Sequence, residues 1–128
     1  MQQKKKILIA EDEESIRKIL VRHITMLGHT VYVAGDGQEV LKLLQEKQPD
    51  LLLLDMIMPV KNGFDVLQEM RLTMNSKIPV IVISNLESKQ DTESAKNLGI
   101  SGYVTKADIT LRDLSTMVDN VLNAPIRA

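Results

Sequence analysis

Leu51-Leu52-Leu53-Leu54-Asp55 decides the fold. Four consecutive leucines leave no polar face, so the run reads as a strand buried on both sides, with a carboxylate at its end. Ile7 to Ala10 and Val80 to Ile83 have the same character. Thr30 to Ala34 is β-branched and strand-like, and Gly102 to Thr105 supplies a fifth short strand. Helical spacing fills the intervals. Ile16, Ile19, Leu20, Ile24 and Leu27 share the apolar face of a first helix, which Gly28 stops. Asp36 can cap a second, carrying Val40, Leu41 and Leu44 and ending before Pro49. A third starts near Asn62-Gly63 and turns Phe64, Leu67, Met70 and Leu72 inward. Residues 88–98 form a polar fourth helix, anchored only by Ala95 and Leu98. Thr110 offers a capping box with Asp113, ahead of Leu111, Leu114, Val118, Val121 and Leu122.

The order is strand then helix, five times over. Strands apolar on both faces, separated by helices, require a parallel sheet covered on both sides. Right-handed crossovers then predict an α/β, doubly wound, flavodoxin-like (βα)5 fold of strand order 2-1-3-4-5. Ligands of such sheets sit beyond the carboxyl ends of the strands, at the switch point between strands 1 and 3.

Composition fits one domain. The chain has 128 residues, 44% apolar and 26% charged, no cysteine and a formal net charge of −1. Absence of cysteine excludes a disulfide scaffold and thiolate zinc sites, and agrees with a cytoplasmic home. The near-neutral charge argues against a dedicated nucleic-acid binder. The apolar runs are far too short to span a bilayer, and no signal peptide opens the chain. Residues 1–124 read as the domain and 125–128 as a short tail, with no effector domain attached. His23 and His29 read as surface histidines.

The strand ends carry the chemistry. Strand 1 runs into Glu11-Asp12 and strand 3 into Asp55. Singly, such residues cap helices, as Glu13 and Glu14 can for the first helix. Converging at one mouth, three carboxylates ask for a cation, and an all-oxygen set suits Mg²⁺ first. Ser84 ends strand 4, where a hydroxyl often only starts a turn. Lys106 follows strand 5, where a lysine is usually a solvated charge. Together they form a coherent set: Asp55 as nucleophile or phosphate acceptor, a metal and an ammonium to neutralise phosphoryl oxygens, and a hydroxyl to hydrogen-bond one of them.

Ile7-Leu8-Ile9-Ala10-Glu11-Asp12-Glu13, Leu53-Leu54-Asp55-Met56-Ile57-Met58-Pro59 with Asn62-Gly63, Val82-Ile83-Ser84 and Gly102-Tyr103-Val104-Thr105-Lys106 resemble, in order and spacing, the response-regulator receiver domains of two-component signalling. The resemblance covers essentially the whole chain. It implies that Asp55 accepts a phosphoryl group from a phosphohistidine on a histidine kinase or histidine phosphotransfer protein. It implies that Asp12, the Asp55 carboxylate and the Ile57 carbonyl ligate Mg²⁺, with Glu11 acting through water. Lys106 would contact the phosphoryl oxygens, Ser84 would move to hydrogen-bond the group, and Tyr103 would turn inward behind it. Such a domain catalyses only its own phosphorylation and dephosphorylation. Output would pass to a separate downstream target through the face of the fourth helix, fifth strand and fifth helix, with a homodimer through that face as a further expectation.

The pattern departs in places. The family usually carries Lys-Pro after strand 5, with that bond cis; here it is Lys106-Ala107. A cis bond before a residue other than proline costs about 2.5–4 kcal/mol, so a trans bond and a reshaped loop are expected. Asn85 replaces a commonly small residue, and its amide is expected either to narrow access to the phosphoryl group or to hydrogen-bond it. Ile57 and Leu86 place apolar groups at the mouth, where they are expected to shield the acylphosphate from water and lengthen its life. Arg17, Lys18, Arg22 and His23 point outward from the first helix, either as a solvated face or as a docking surface for an acidic kinase or phosphotransfer helix.

Other functions fit less well. Phosphatases of the haloacid dehalogenase type need a second aspartate two positions after the nucleophile, where Ile57 stands. A flavin phosphate would be repelled by Glu11-Asp12, and no glycine-rich loop follows strand 1. The alternative that stays open is a non-phosphorylated receiver fold serving only for protein interaction or dimerisation.

Overall fold

A computed structural model describes residues 4–85, 89–107 and 110–123. Five strands, β1 (Lys6–Ala10), β2 (Thr30–Ala34), β3 (Leu51–Leu54), β4 (Val80–Ser84) and β5 (Gly102–Thr105), alternate with α1 (Glu14–Met26), α2 (Gly37–Lys47), α3 (Gly63–Gln68), α4 (Lys89–Asn97) and α5 (Leu111–Leu122). The sheet is parallel throughout, in the order β2-β1-β3-β4-β5. This is the flavodoxin-like order expected from the alternation of elements.

Side-chain alternation along the strands builds two cores. Leu8, Ala10, Leu52, Leu54, Val80 and Val82 pack under α2, α3 and α4 through Val40, Leu44, Leu67 and Ala95. Ile7, Ile9, Leu51, Leu53, Ile81 and Ile83 face α1 and α5 through Leu20, Ile24, Leu114 and Val118. Three helix starts follow the cap chemistry. The side chains of Asp36, Asn62 and Thr110 accept hydrogen bonds from the backbone N–H of Glu39, Asp65 and Asp113 at 2.9–3.0 Å.

Several expected inward positions face solvent. Ile19 is 53% exposed because Ile16, Leu20, Ile24 and Leu27 complete the stripe without it. Leu111 is half-exposed at the first turn of α5. Leu72 is 66% exposed. Beyond α3 the chain widens into a π-helical turn, Glu69–Thr73, where the Met74 N–H donates to the Glu69 carbonyl at 2.9 Å. Leu72 stands two residues past the fully buried Met70, which places it on the opposite face of the helical turn whether or not the turn is widened. His29 is buried rather than at the surface, with Nδ1 accepting from the Lys5 N–H at 3.2 Å.

The same turn presents Arg71 to three carbonyls. Its guanidinium donates to Leu98 O at 3.2 Å, Ser76 O at 2.9 Å and Gly99 O at 2.7 Å. Leu98 and Gly99 follow α4, which among its described side chains has one that is fully buried, Ala95. Arg71 thus satisfies carbonyls that the end of α4 would otherwise leave to water.

Candidate functional site

The parallel order brings the ends of β1, β3, β4 and β5 to one edge. Pairing continues past the strands, with the Glu11 N–H donating to Ala34 O at 3.1 Å and the Asp55 N–H to Ala10 O at 3.0 Å. Glu11 and Asp55 are therefore fixed side by side by backbone. Both are buried, and Asp12 is exposed. One carboxylate oxygen from each of Glu11, Asp12 and Asp55 lies within 4.8 Å of the others.

Lys106 closes the cluster. Its Nζ lies 2.8 and 2.9 Å from the two oxygens of Glu11, 2.9 Å from Asp55 Oδ2 and 3.6 Å from Glu13 Oε1. Burial pulls the ammonium pKa down, but the carboxylates of Glu11 and Asp55 override it, and the net direction is up. Glu11 sits above the ordinary carboxylate range, because burial and the neighbouring Asp55 charge outweigh its bond to Lys106. The Asp55 carboxylate is oriented from both sides. Oδ1 accepts from the Ile57 N–H at 3.0 Å and the Ser84 hydroxyl at 3.3 Å, and Oδ2 accepts from Lys106. Three clustered carboxylates against one buried ammonium leave a mouth short of positive charge. An all-oxygen donor set of this kind fits a hard divalent cation.

Gly63 holds the loop that follows Asp55. Its N–H donates to Met56 O at 2.9 Å. A methyl group there would lie 2.5 Å from Met56 Cα and 2.9 Å from Asp55 O. Between them Val60 adopts a φ of 70°, with the Lys61 N–H donating to Pro59 O at 2.8 Å, a strained γ-turn for a β-branched residue.

The helix-facing residues differ from their sequence reading. Glu13 is the N-cap of α1, but its side chain makes no cap bond and leans towards Lys106 instead. Arg17 folds back onto the acidic loop. Its backbone N–H donates to Glu13 O at 2.9 Å, and its Nη1 to Glu11 O at 3.0 Å and Asp12 O at 3.5 Å. One residue thus serves three successive carbonyls, and Arg17 is not a free docking cation. His23 Nε2 meets Ser115 Oγ on α5. Lys18 pairs with Glu14 at 3.1 Å and, like Arg22, is exposed. Sequence reasoning missed the Arg17 grip; its one signal was an arginine a helical turn past the acidic run.

The Lys106-Ala107 bond is trans, as are all those described. The lysine reaches both carboxylates nonetheless. Its own N–H donates to Ser84 O at 3.2 Å, and the Ala107 N–H donates to the Asn85 side-chain oxygen at 3.2 Å. Tyr103 is half-buried against the core under α2, α3 and α4. The Ile57 side chain is 60% exposed at the mouth. Leu86 lies outside the described residues, as does the tail at 125–128. Among the described residues no helix is long and apolar enough to cross a membrane.

Residues 7–119 match the response regulator receiver domain family. Over 106 residues the chain is 40% identical to a probable transcriptional regulator, ycf27, of Guillardia theta, covering 83% of this chain and 41% of that protein. It is 41% identical over 100 residues to the response regulator RR06 of Streptococcus pneumoniae, covering 78% and 45% respectively. The chain thus spans less than half the length of these curated relatives. The receiver domain of the Francisella response regulator 1452 superposes with a TM-score of 0.85 at 28% identity, covering 92% of this chain and 96% of that one.

Proposed function

Because this chain belongs to the response regulator receiver domain family of two-component signalling, we propose that it is a phosphorylatable switch whose acceptor is Asp55. The observation that carries the reading is the Asp55 carboxylate itself. It is buried, held on Oδ1 by Ile57 N–H and Ser84 and on Oδ2 by Lys106, beside Glu11 and Asp12.

The chemistry follows from that geometry. A carboxylate oxygen of Asp55 forms an O–P bond as the donor's N–P or acyl O–P bond breaks. Such transfers need positioning and charge neutralisation more than covalent assistance. Lys106 supplies a cation already aimed at Asp55, and Ser84 a hydroxyl within reach of the same carboxylate. Glu11, Asp12 and Asp55, with the Ile57 carbonyl, would hold Mg²⁺, which when bound neutralises charge on the phosphoryl oxygens. The chain would catalyse only its own phosphorylation and dephosphorylation.

The donor would be the phosphohistidine of a kinase or phosphotransfer protein. The phosphoryl group adds charge and strong acceptors. Ser84 and Tyr103 would carry the change to the face of α4, β5 and α5, and so to a separate target or a second copy. The poor anchoring of α4 supports that assignment, because elements with few buried contacts move first.

Intact mass after incubation with acetyl phosphate and Mg²⁺ tests the reading. The expected result is a gain of one phosphoryl group, absent in Asp55→Asn and in a Mg²⁺-free sample. A folded protein that gains none from either acetyl phosphate or a phosphorylated phosphotransfer protein would be an interaction module instead. The exposed Ile57 leads to a second expectation. Ile57→Asn admits water to the acylphosphate and shortens its half-life, by about threefold or more if one ordered attacking water is gained. An unchanged half-life removes Ile57 from any shielding role.

A further inference from the structure

Two unusual residues in the sequence meet in the structure. Asn85 follows β4, Ala107 follows Lys106, and the Ala107 N–H donates to the Asn85 side-chain oxygen at 3.2 Å. One residue earlier, the Lys106 N–H donates to Ser84 O at 3.2 Å. Lys106 is thus flanked by two tethers to the end of β4, one through backbone and one through the amide of Asn85. The side chain between them reaches Glu11 and Asp55. A proline at 107 has no N–H and could not form the second tether. Asn85 in turn has a ready donor only because residue 107 is not proline.

We propose that Asn85 is a positioning residue for Lys106, acting through the Ala107 backbone, and that Asn85 and Ala107 work as one unit in setting the reach of the lysine. The unit serves where a rigid ring would otherwise shape the loop. The role rests on the phosphoacceptor reading of Asp55, but the tether can be tested without it.

The experiment is a double-mutant cycle of Asn85→Ala, Ala107→Pro and the pair, read by phosphorylation rate from acetyl phosphate at saturating Mg²⁺ and by thermal unfolding in EDTA. Loss of one hydrogen bond predicts an Asn85→Ala rate about three- to tenfold below wild type. In the Ala107→Pro background the same change is expected to have almost no effect, because the donor is already gone. Mg²⁺ affinity is expected to hold across the cycle, since Asn85 touches none of the carboxylates. Amide exchange at Ala107 should quicken about tenfold in Asn85→Ala, a readout that needs neither the proline variant nor phosphate.

An equal rate loss in both backgrounds would mean that Asn85 acts on the phosphoryl group directly, and would overturn the proposal. Unchanged Ala107 exchange in Asn85→Ala would overturn it as well. If wild-type protein takes up no phosphate, the phosphoacceptor reading fails, while the exchange and unfolding measurements still decide whether the tether exists.

Discussion

Lys106→Met is expected to lower stability by about 3 kcal/mol in metal-free solution at neutral pH. The lysine side chain is 9% exposed, and it is the counter-charge of Glu11 and Asp55, whose side chains are 2% and 3% exposed. Removing the ammonium leaves two buried carboxylates facing each other, with Asp12 alongside. Breaking a buried pair from one side costs far more than the pair itself contributes. Chemical denaturation in EDTA measures the loss. Adding Mg²⁺ is expected to narrow it, because a divalent cation at the same carboxylates supplies part of the missing charge. Phosphoryl uptake by the variant is expected to fall at least about a hundredfold, the scale seen when one preorganised donor to a developing charge is removed. Native-like stability and uptake in Lys106→Met would make this lysine a solvated loop charge.

Gly63→Ala carries the second large effect. The added methyl would sit 2.5 Å from Met56 Cα, 2.6 Å from Met56 Sδ and 2.9 Å from Asp55 O. Two of these are backbone atoms of the segment that presents the Asp55 carboxylate, so the clash cannot be relieved by a rotamer change. The expected cost is about 3 kcal/mol, the upper end for overpacking. Relief by a shift of the backbone at Asp55 and Met56 would disturb the alignment of Asp55 with Lys106 and Ser84, so Mg²⁺ affinity and phosphoryl uptake should fall together. Gly35→Ala is the matched control. Its nearest neighbour would be Arg17 Nη1 at an ordinary 3.8 Å, and a change within about 0.5 kcal/mol is expected. Equal stabilities for the two variants in urea would show that the loop yields without moving the site.

The features written in composition and period were legible. Leu51 to Leu54 are buried to 1% exposure or less, as a run with no polar face must be in a covered sheet. Asp36, Asn62 and Thr110 cap the helices they precede, because capping needs only a side chain and an amide three residues on. The convergence of Glu11, Asp12, Asp55, Ser84 and Lys106 followed from topology, since parallel strands place their ends on one edge. Contacts set by side-chain reach across the fold were not legible. Nothing local distinguishes Arg17 bent over the acidic loop from Arg17 in water. The π turn at 69–73 is one extra residue that no hydrophobic period announces, whereas the exposure of Leu72 was readable from its place two residues past Met70. The Asn85 amide and the Ala107 N–H are 22 residues apart, and each looked like a separate departure until they met.

The grip of Arg71 on the carbonyls after α4 would make that end of the helix the pivot of any tilt. Nine residues at 1.5 Å each give it an arm of about 13 Å. A tilt of roughly 10° about the Leu98–Gly99 end would displace Lys89 by about 2 Å while leaving the pinned end almost still. The far end of the arm is the end nearer Ser84 in the chain, and the near end is held by a different part of the chain. A small rotation would therefore be amplified in one direction only. The pivot would be held by a single guanidinium that belongs to neither the carboxylate cluster nor the hydrophobic cores.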